Sequence, residues 1–129
     1  MIYDGAMTTW QDLMPGAALA PGEVVEITWQ GEDLLLYRTS AGECQAFSAY
    51  CPHMGNYMPN GLAPGKSLAA LLEHDELRCP YHGWRFNSDG QCTHIPQGQR
   101  VPEAVRRGRA VVRSWLVRER GQHIQIADR

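Results

Sequence analysis

Residues 79–96 read CPYHGWRFNSDGQCTHIP, and residues 51–55 read CPHMG. Each stretch offers one thiol and one imidazole at close spacing: Cys51 with His53, and Cys79 with His82. That spacing lets both side chains of a pair point the same way from a tight loop. Pro52 and Pro80 stiffen the loops by fixing backbone φ directly after each cysteine. Gly55 and Gly83 follow the histidines by one or two residues, where a turn with positive φ is expected. With 25 residues between His53 and Cys79, the two loops form the centre of a small subdomain over about residues 49–87.

Outward from these loops, the chain reads as short strands between turns. Turn residues recur at 15–16, 21–22, 30–33, 40–43, 63–65 and 87–90 and at Gly121. Between them lie runs rich in branched and aromatic residues: Val24–Trp29, Leu34–Thr39, Gln45–Tyr50, Trp84–Asn87, Val111–Arg118 and His123–Ile126. This pattern predicts an all-β antiparallel sandwich or barrel carrying the two-loop subdomain. Thr9–Met14 reads as one helical turn, with Thr9 as its cap and Asp12 three residues on. Ser67–Leu77 reads as a short helix capped by Ser67, with Leu68, Leu71 and Leu72 on one face.

Three chemistries compete for the four donors. Tetrahedral zinc accepts two cysteines and two histidines, but zinc modules pair like with like rather than mixing Cys and His in each half. A Cys79 nucleophile with His82 as its base leaves Cys51 and His53 unexplained. A mixed-ligand [2Fe–2S] centre needs one Cys and one His from each of two loops, and the chain offers that set.

The segments 51–55 and 79–96 resemble the two cluster-binding loops of the Rieske family. More narrowly, they are similar to the N-terminal Rieske domain of bacterial ring-hydroxylating and steroid-type oxygenases, and to the Rieske ferredoxins that feed them. The approach, GEDLLLYRTSAGECQAFSAYCPH (31–53), and the exit, RAVVRSWLVRERGQHIQI (109–126), extend the resemblance over nearly the whole chain. It implies one [2Fe–2S] cluster per chain, with Cys51 and Cys79 on an inner iron and His53 and His82 on an outer one nearer solvent. Respiratory-chain members clamp the loops with an extra cysteine pair, where this sequence has Asn56 and Tyr81, and carry a serine where it has Trp84. Fewer hydrogen bonds to the cluster sulfurs place the expected potential toward the low end of the family range, roughly −150 mV. Gly61–Glu76 reads as an insertion between the loops, either shaping a partner surface or covering a sheet edge.

The remaining donors are assigned bland roles. His74, His94 and His123 are scattered and read as surface histidines, and no segment suggests a second domain with a two-histidine, one-carboxylate iron. Cys44 and Cys92 read as small buried thiols rather than a disulfide. Tyr81 and Trp84 read as core, while Met54, Tyr57 and Met58 read as an exposed apolar rim near the cluster.

Composition bounds the rest. The chain has 129 residues, fitting a single domain, with 43% hydrophobic residues, 20% charged residues and net charge −2. Residues 1–90 hold four basic and eleven acidic residues, whereas residues 91–129 hold eight arginines against three acidic residues. That basic stretch reads as a solvated strand face, or as docking ground for an acidic partner around Arg106, Arg107 and Arg109. No apolar run is long enough to cross a bilayer, no signal peptide is evident, and nothing points to nucleic acid, so a cytoplasmic location is expected. The function expected is one-electron transfer from a reductase to a terminal oxygenase. The alternatives are the Rieske part of an oxygenase whose catalytic iron domain is a separate chain, and a redox-sensing binding module.

Overall fold

The computed structural model describes residues 8–128. Its organising element is β3 (Glu32–Arg38), whose consecutive apolar residues are buried on both faces. Leu34 and Leu36 face one core; Leu35 and Tyr37, one position out of phase, face the other. β2 (Val24–Trp29) pairs with it through a two-residue turn, Gln30-Gly31, with φ of 50° and 77°. Positive φ at both positions is the type I′ geometry that matches strand twist. β1 (Gln11–Pro15), β4 (Cys44–Ser48), β9 (Ser114–Arg120) and β10 (His123–Ala127) complete an antiparallel sheet in the order β1-β10-β9-β4-β3-β2. A second type I′ turn, Gly121-Gln122, joins β9 to β10.

A smaller sheet in the order β5-β6-β7-β8 packs on one face of the first. It consists of β5 (Leu72–Glu73), β6 (Glu76–Arg78), β7 (Arg85–Phe86) and β8 (Cys92–His94). Leu71, Leu77, Trp84 and Phe86 from this side meet Val24, Leu35, Tyr37 and Phe47 from the large sheet. Cys51 and Cys79 belong to the same core, so the two cysteine loops are seated on the sheet rather than hung from it. On the far face, Leu34, Leu36, Ala46, Trp115, Ile124 and Ile126 form the second core.

Arg38 closes the end of the large sheet. Its nearly buried guanidinium donates to the carbonyls of Leu19 (2.6 Å), Gly42 (2.7 Å) and Gly16 (3.1 Å) and pairs with Glu119 at 2.6 Å. These bonds tie together a short 3-10 turn (Gly16–Ala18), the β3–β4 turn and β9.

The all-β expectation holds, and all six expected strands are present: Val24–Trp29 keeps its bounds and the other five have shifted ends. The two helical expectations do not hold. Thr9–Met14 contains most of β1, which is recruited by the free edge of β10 with Gln11 opposite Ile126. Pairing there overrides a weak local helix signal. Ser67 precedes only one 3-10 turn (Leu68–Leu71), and its side chain makes no capping bond. The chain then runs into a β5–β6 hairpin whose turn residues His74 and Asp75 have φ of 53° and 65°, which no α-helix accommodates. The segment is not a loose excursion, because the 3-10 turn packs beside β2, the edge strand of the large sheet. A four-residue helix, α1 (Glu103–Arg106), and strand β8 carry no signal that the sequence reading used.

Candidate metal centre

The two cysteine loops close in the same way. In the first, the Cys51 amide donates to Asn56 O (2.9 Å) and the Gly55 amide to Cys51 O (2.7 Å). In the second, the Cys79 amide donates to Trp84 O (2.8 Å) and the Gly83 amide to Cys79 O (2.9 Å). Gly55 and Gly83 take the positive φ expected of them, 76° and 80°. The loops also touch. A Cβ on Gly61, at the end of the 3-10 turn Met58–Gly61, would come within 2.8 Å of Pro80 and the Tyr81 ring.

The four sequence-predicted donors converge as two pairs. Cys51 and Cys79 are buried at the base, and the His53 and His82 rings lie 4.8 Å apart. The thiols perturb each other. Hydrogen bonding with Cys51 is the main influence lowering Cys79, against the opposing effect of burial and with help from the Tyr81 and His82 amides. Cys51 is raised, first by that bond with Cys79 and then by burial. Each sulfur also meets the amides two and three residues ahead, those of His53 and Met54 in the first loop.

The residues present fit an iron–sulfur cluster. His53 Nδ1 is buried and has no hydrogen-bond partner, a costly condition for a ring nitrogen that has no ligand to bind. It stands in a cradle of two facing thiols and a second imidazole, the donor set that a mixed-ligand two-iron cluster requires. The donors are spread as two pairs; among the described residues, no three His, Cys, Asp or Glu side chains close on a single-ion position.

The surroundings correct several expectations. Trp84 is core, as expected, and stacks face to face on His53 with centroids 4.3 Å apart and planes 11° from parallel. Tyr81, expected in the core, is 40% exposed, because its loop position points away from the sheet. Met58, expected on the rim, is completely buried: its amide bonds Ala49 O, and its side chain joins the first core. The exposed apolar residues near the loops are Met54 (65%), Tyr81 and Tyr50; Tyr57 is half-buried, with its hydroxyl donating to Glu26. Cys44 and Cys92 are half-buried free thiols rather than fully buried ones. Burial raises both above the ordinary thiol range. His74, His94 and His123 are exposed, as expected. Gln99, which the sequence reading passed over, bonds Trp84 Nε1 (2.9 Å) and His82 O (2.8 Å).

A site with this fold and donor set is that of an iron–sulfur protein. The family model for the Rieske [2Fe-2S] domain matches residues 9–106, and the chain belongs to that family, whose cofactor is a [2Fe–2S] cluster. Among curated relatives, cholesterol 7-desaturase nvd 1 of Ciona intestinalis is 34% identical over 110 residues. The match takes in 85% of this chain and 21% of that protein. The oxygenase component of 3-ketosteroid-9-alpha-monooxygenase from Mycolicibacterium smegmatis is 32% identical over 112 residues, 87% of this chain and 26% of its own length. The crystal structure of apo dicamba monooxygenase superposes with a TM-score of 0.71 at 30% identity, covering 92% of this chain and 32% of that one. The chain therefore spans between a fifth and a third of the relatives it matches. Among the described residues, no helix is long and apolar enough to cross a membrane.

Proposed function

We propose that Cys51, His53, Cys79 and His82 hold the cluster, and that the chain relays single electrons from a reductase to an oxygenase iron. The observation that carries this reading is the polarity of the donor cage. Two buried thiols lie at its base, and two imidazoles lie beyond them, with His82 exposed. When bound, the cluster supplies a reversible one-electron couple. The protein's own residues do the rest. The buried thiols and Trp84 keep water from the inner side. The four loop amides aimed at the cysteine sulfurs favour negative charge there, which supports the reduced state. His82 gives electrons a short exit, and Met54, Tyr81 and Tyr50 offer adaptable apolar contact around it. Such encounters belong to the small, weak class of interfaces, which suits turnover.

A second reading is favoured by the relatives, which are oxygenase components and a desaturase several times longer than the match. In it, the chain is the Rieske part of an oxygenase system, and the oxygen-activating iron lies outside residues 1–129. Both readings place the same cluster in the same loops. The free thiols Cys44 and Cys92 suit a reducing cytoplasm.

An EPR spectrum of the dithionite-reduced protein tests the reading. The expected result is a mixed-ligand [2Fe–2S] signal at one spin per chain, accompanied by two irons and two acid-labile sulfides. Stoichiometric zinc in a colourless protein would overturn it.

A further inference from the structure

Gln99 lies outside both cysteine loops, in the turn that follows Pro96, yet its amide reaches into the site. Oε1 accepts from Trp84 Nε1 at 2.9 Å, and Nε2 donates to His82 O at 2.8 Å. An indole N–H only donates and a backbone carbonyl only accepts, so the amide has a single orientation that satisfies both. We propose that Gln99 is a positioning residue for both imidazoles at once: it holds the backbone of His82 directly and sets the ring of His53 through Trp84. The inference rests on the reading that His53 and His82 are cluster ligands.

The argument runs through burial and shape. Trp84 is almost fully buried, so its N–H needs a partner, and Gln99 is the one it has. The indole in turn lies flat on His53, 4.3 Å between centroids and 11° from parallel. A tilt of the indole would therefore disturb the imidazole stacked on it. The His82 side chain is exposed, so the core does not hold it. The bond to its carbonyl and the close approach of Pro96 to Gly83, where a Cβ would stand 3.0 Å from Pro96 Cγ, brace that loop from the same turn. Leucine at position 99 keeps the volume and removes both bonds. Glutamate keeps the acceptor for Trp84 but has no donor for His82 O and adds a charge beside that carbonyl.

The experiment uses the holoprotein with Gln99→Leu, Gln99→Glu and, as a control in the same turn, Gln97→Leu, whose side chain is exposed. The parent spectrum comes first: if it lacks a mixed-ligand signal, the ligand reading fails whatever Gln99 does. Given that signal, Gln99→Leu is expected to retain two irons but to shift and broaden the EPR lines and visible circular dichroism. Its cluster should be lost to a chelator about 3- to 10-fold faster, the factor that corresponds to about one hydrogen bond. Gln99→Glu should change the same spectra differently, and Gln97→Leu should change none. A purely structural strut would lower the melting temperature while leaving spectrum and chelation rate at parent values, and that result overturns the proposal. If Gln99→Leu does not accumulate as folded protein, Gln99→Glu is read by the same criteria: shifted spectra support the proposal and parent spectra overturn it.

Discussion

From Cys51 to Asn56 and from Cys79 to Trp84 the chain makes the same turn, closed by the same pair of amide bonds around a glycine at the fifth position. The histidine does not occupy the same place in the two turns. In the first loop it is the third residue, His53, half-buried and flat against Trp84; in the second it is the fourth, His82, exposed. The residues at the swapped positions, Tyr81 and Met54, point outward, 40% and 65% exposed. One backbone design thus yields one shielded imidazole and one that faces solvent, because Trp84 stacks flat on His53 while the His82 side chain is left exposed. The supports differ too. The second loop is braced by the turn of residues 96–99, whereas Gly55 of the first has open space where a Cβ would go.

The most severe way to break this comparison is to move a histidine. Exchanging the pair in the second loop, Tyr81→His with His82→Tyr, should abolish the cluster as completely as His82→Ala or His53→Ala. Iron and labile sulfide should fall from two each per chain toward zero. Retention of the visible spectrum in the exchanged variant would mean that the position within the turn is immaterial.

Next in size is a charge under the first loop. Met58→Glu buries a carboxylate among Leu71, Leu77 and Phe86 and should cost more than ~3 kcal/mol in urea denaturation. Met54→Glu should leave stability and spectrum alone and slow reduction by a partner several-fold in stopped flow.

A change remote from both loops supplies a scale. Arg38→Met leaves the Leu19 carbonyl without its donor and the Glu119 carboxylate without its ion pair, and should cost about 2 kcal/mol. The Glu119 carboxyl is held below its ordinary value, chiefly by the hydrogen bond from Arg38. A depressed carboxylate contributes stability above its unfolded value and loses it as pH falls through the folded one. The variant's stability should therefore fall less steeply than the parent's in acid.

Smaller and more diagnostic is the glycine pair. Gly55→Ala should cost about 1 kcal/mol, from positive φ alone. Gly83→Ala should cost more and also weaken cluster retention, since its Cβ would stand 3.0 Å from Pro96 and 3.2 Å from Arg78 Nη2. Equal losses in thermal melts would remove the asymmetry between the loops. The smallest effect is none: Cys44→Ser and Cys92→Ser should both leave the iron content unchanged.

The sequence alone singled out the four side chains proposed as donors, and it determined the strand-rich architecture and the positive φ at Gly55 and Gly83, because these depend on local spacing, on turn chemistry and on runs of apolar residues. Those features are written into neighbouring positions and survive any reasonable error in strand ends. What only the tertiary structure decided are matters of which side chain meets which across distant segments. Met58 is core and Tyr81 is rim because the large sheet lies under one and not the other. Thr9–Met14 is largely strand because β10 presents an edge more than a hundred residues away. The His74-Asp75 hairpin displaces a helix because the strand pairing of Leu72 with Leu77 rewards the turn. The contact of Gln99 with Trp84 and His82 leaves no mark on composition or periodicity, since a glutamine in a polar turn looks the same whether it faces water or holds an imidazole.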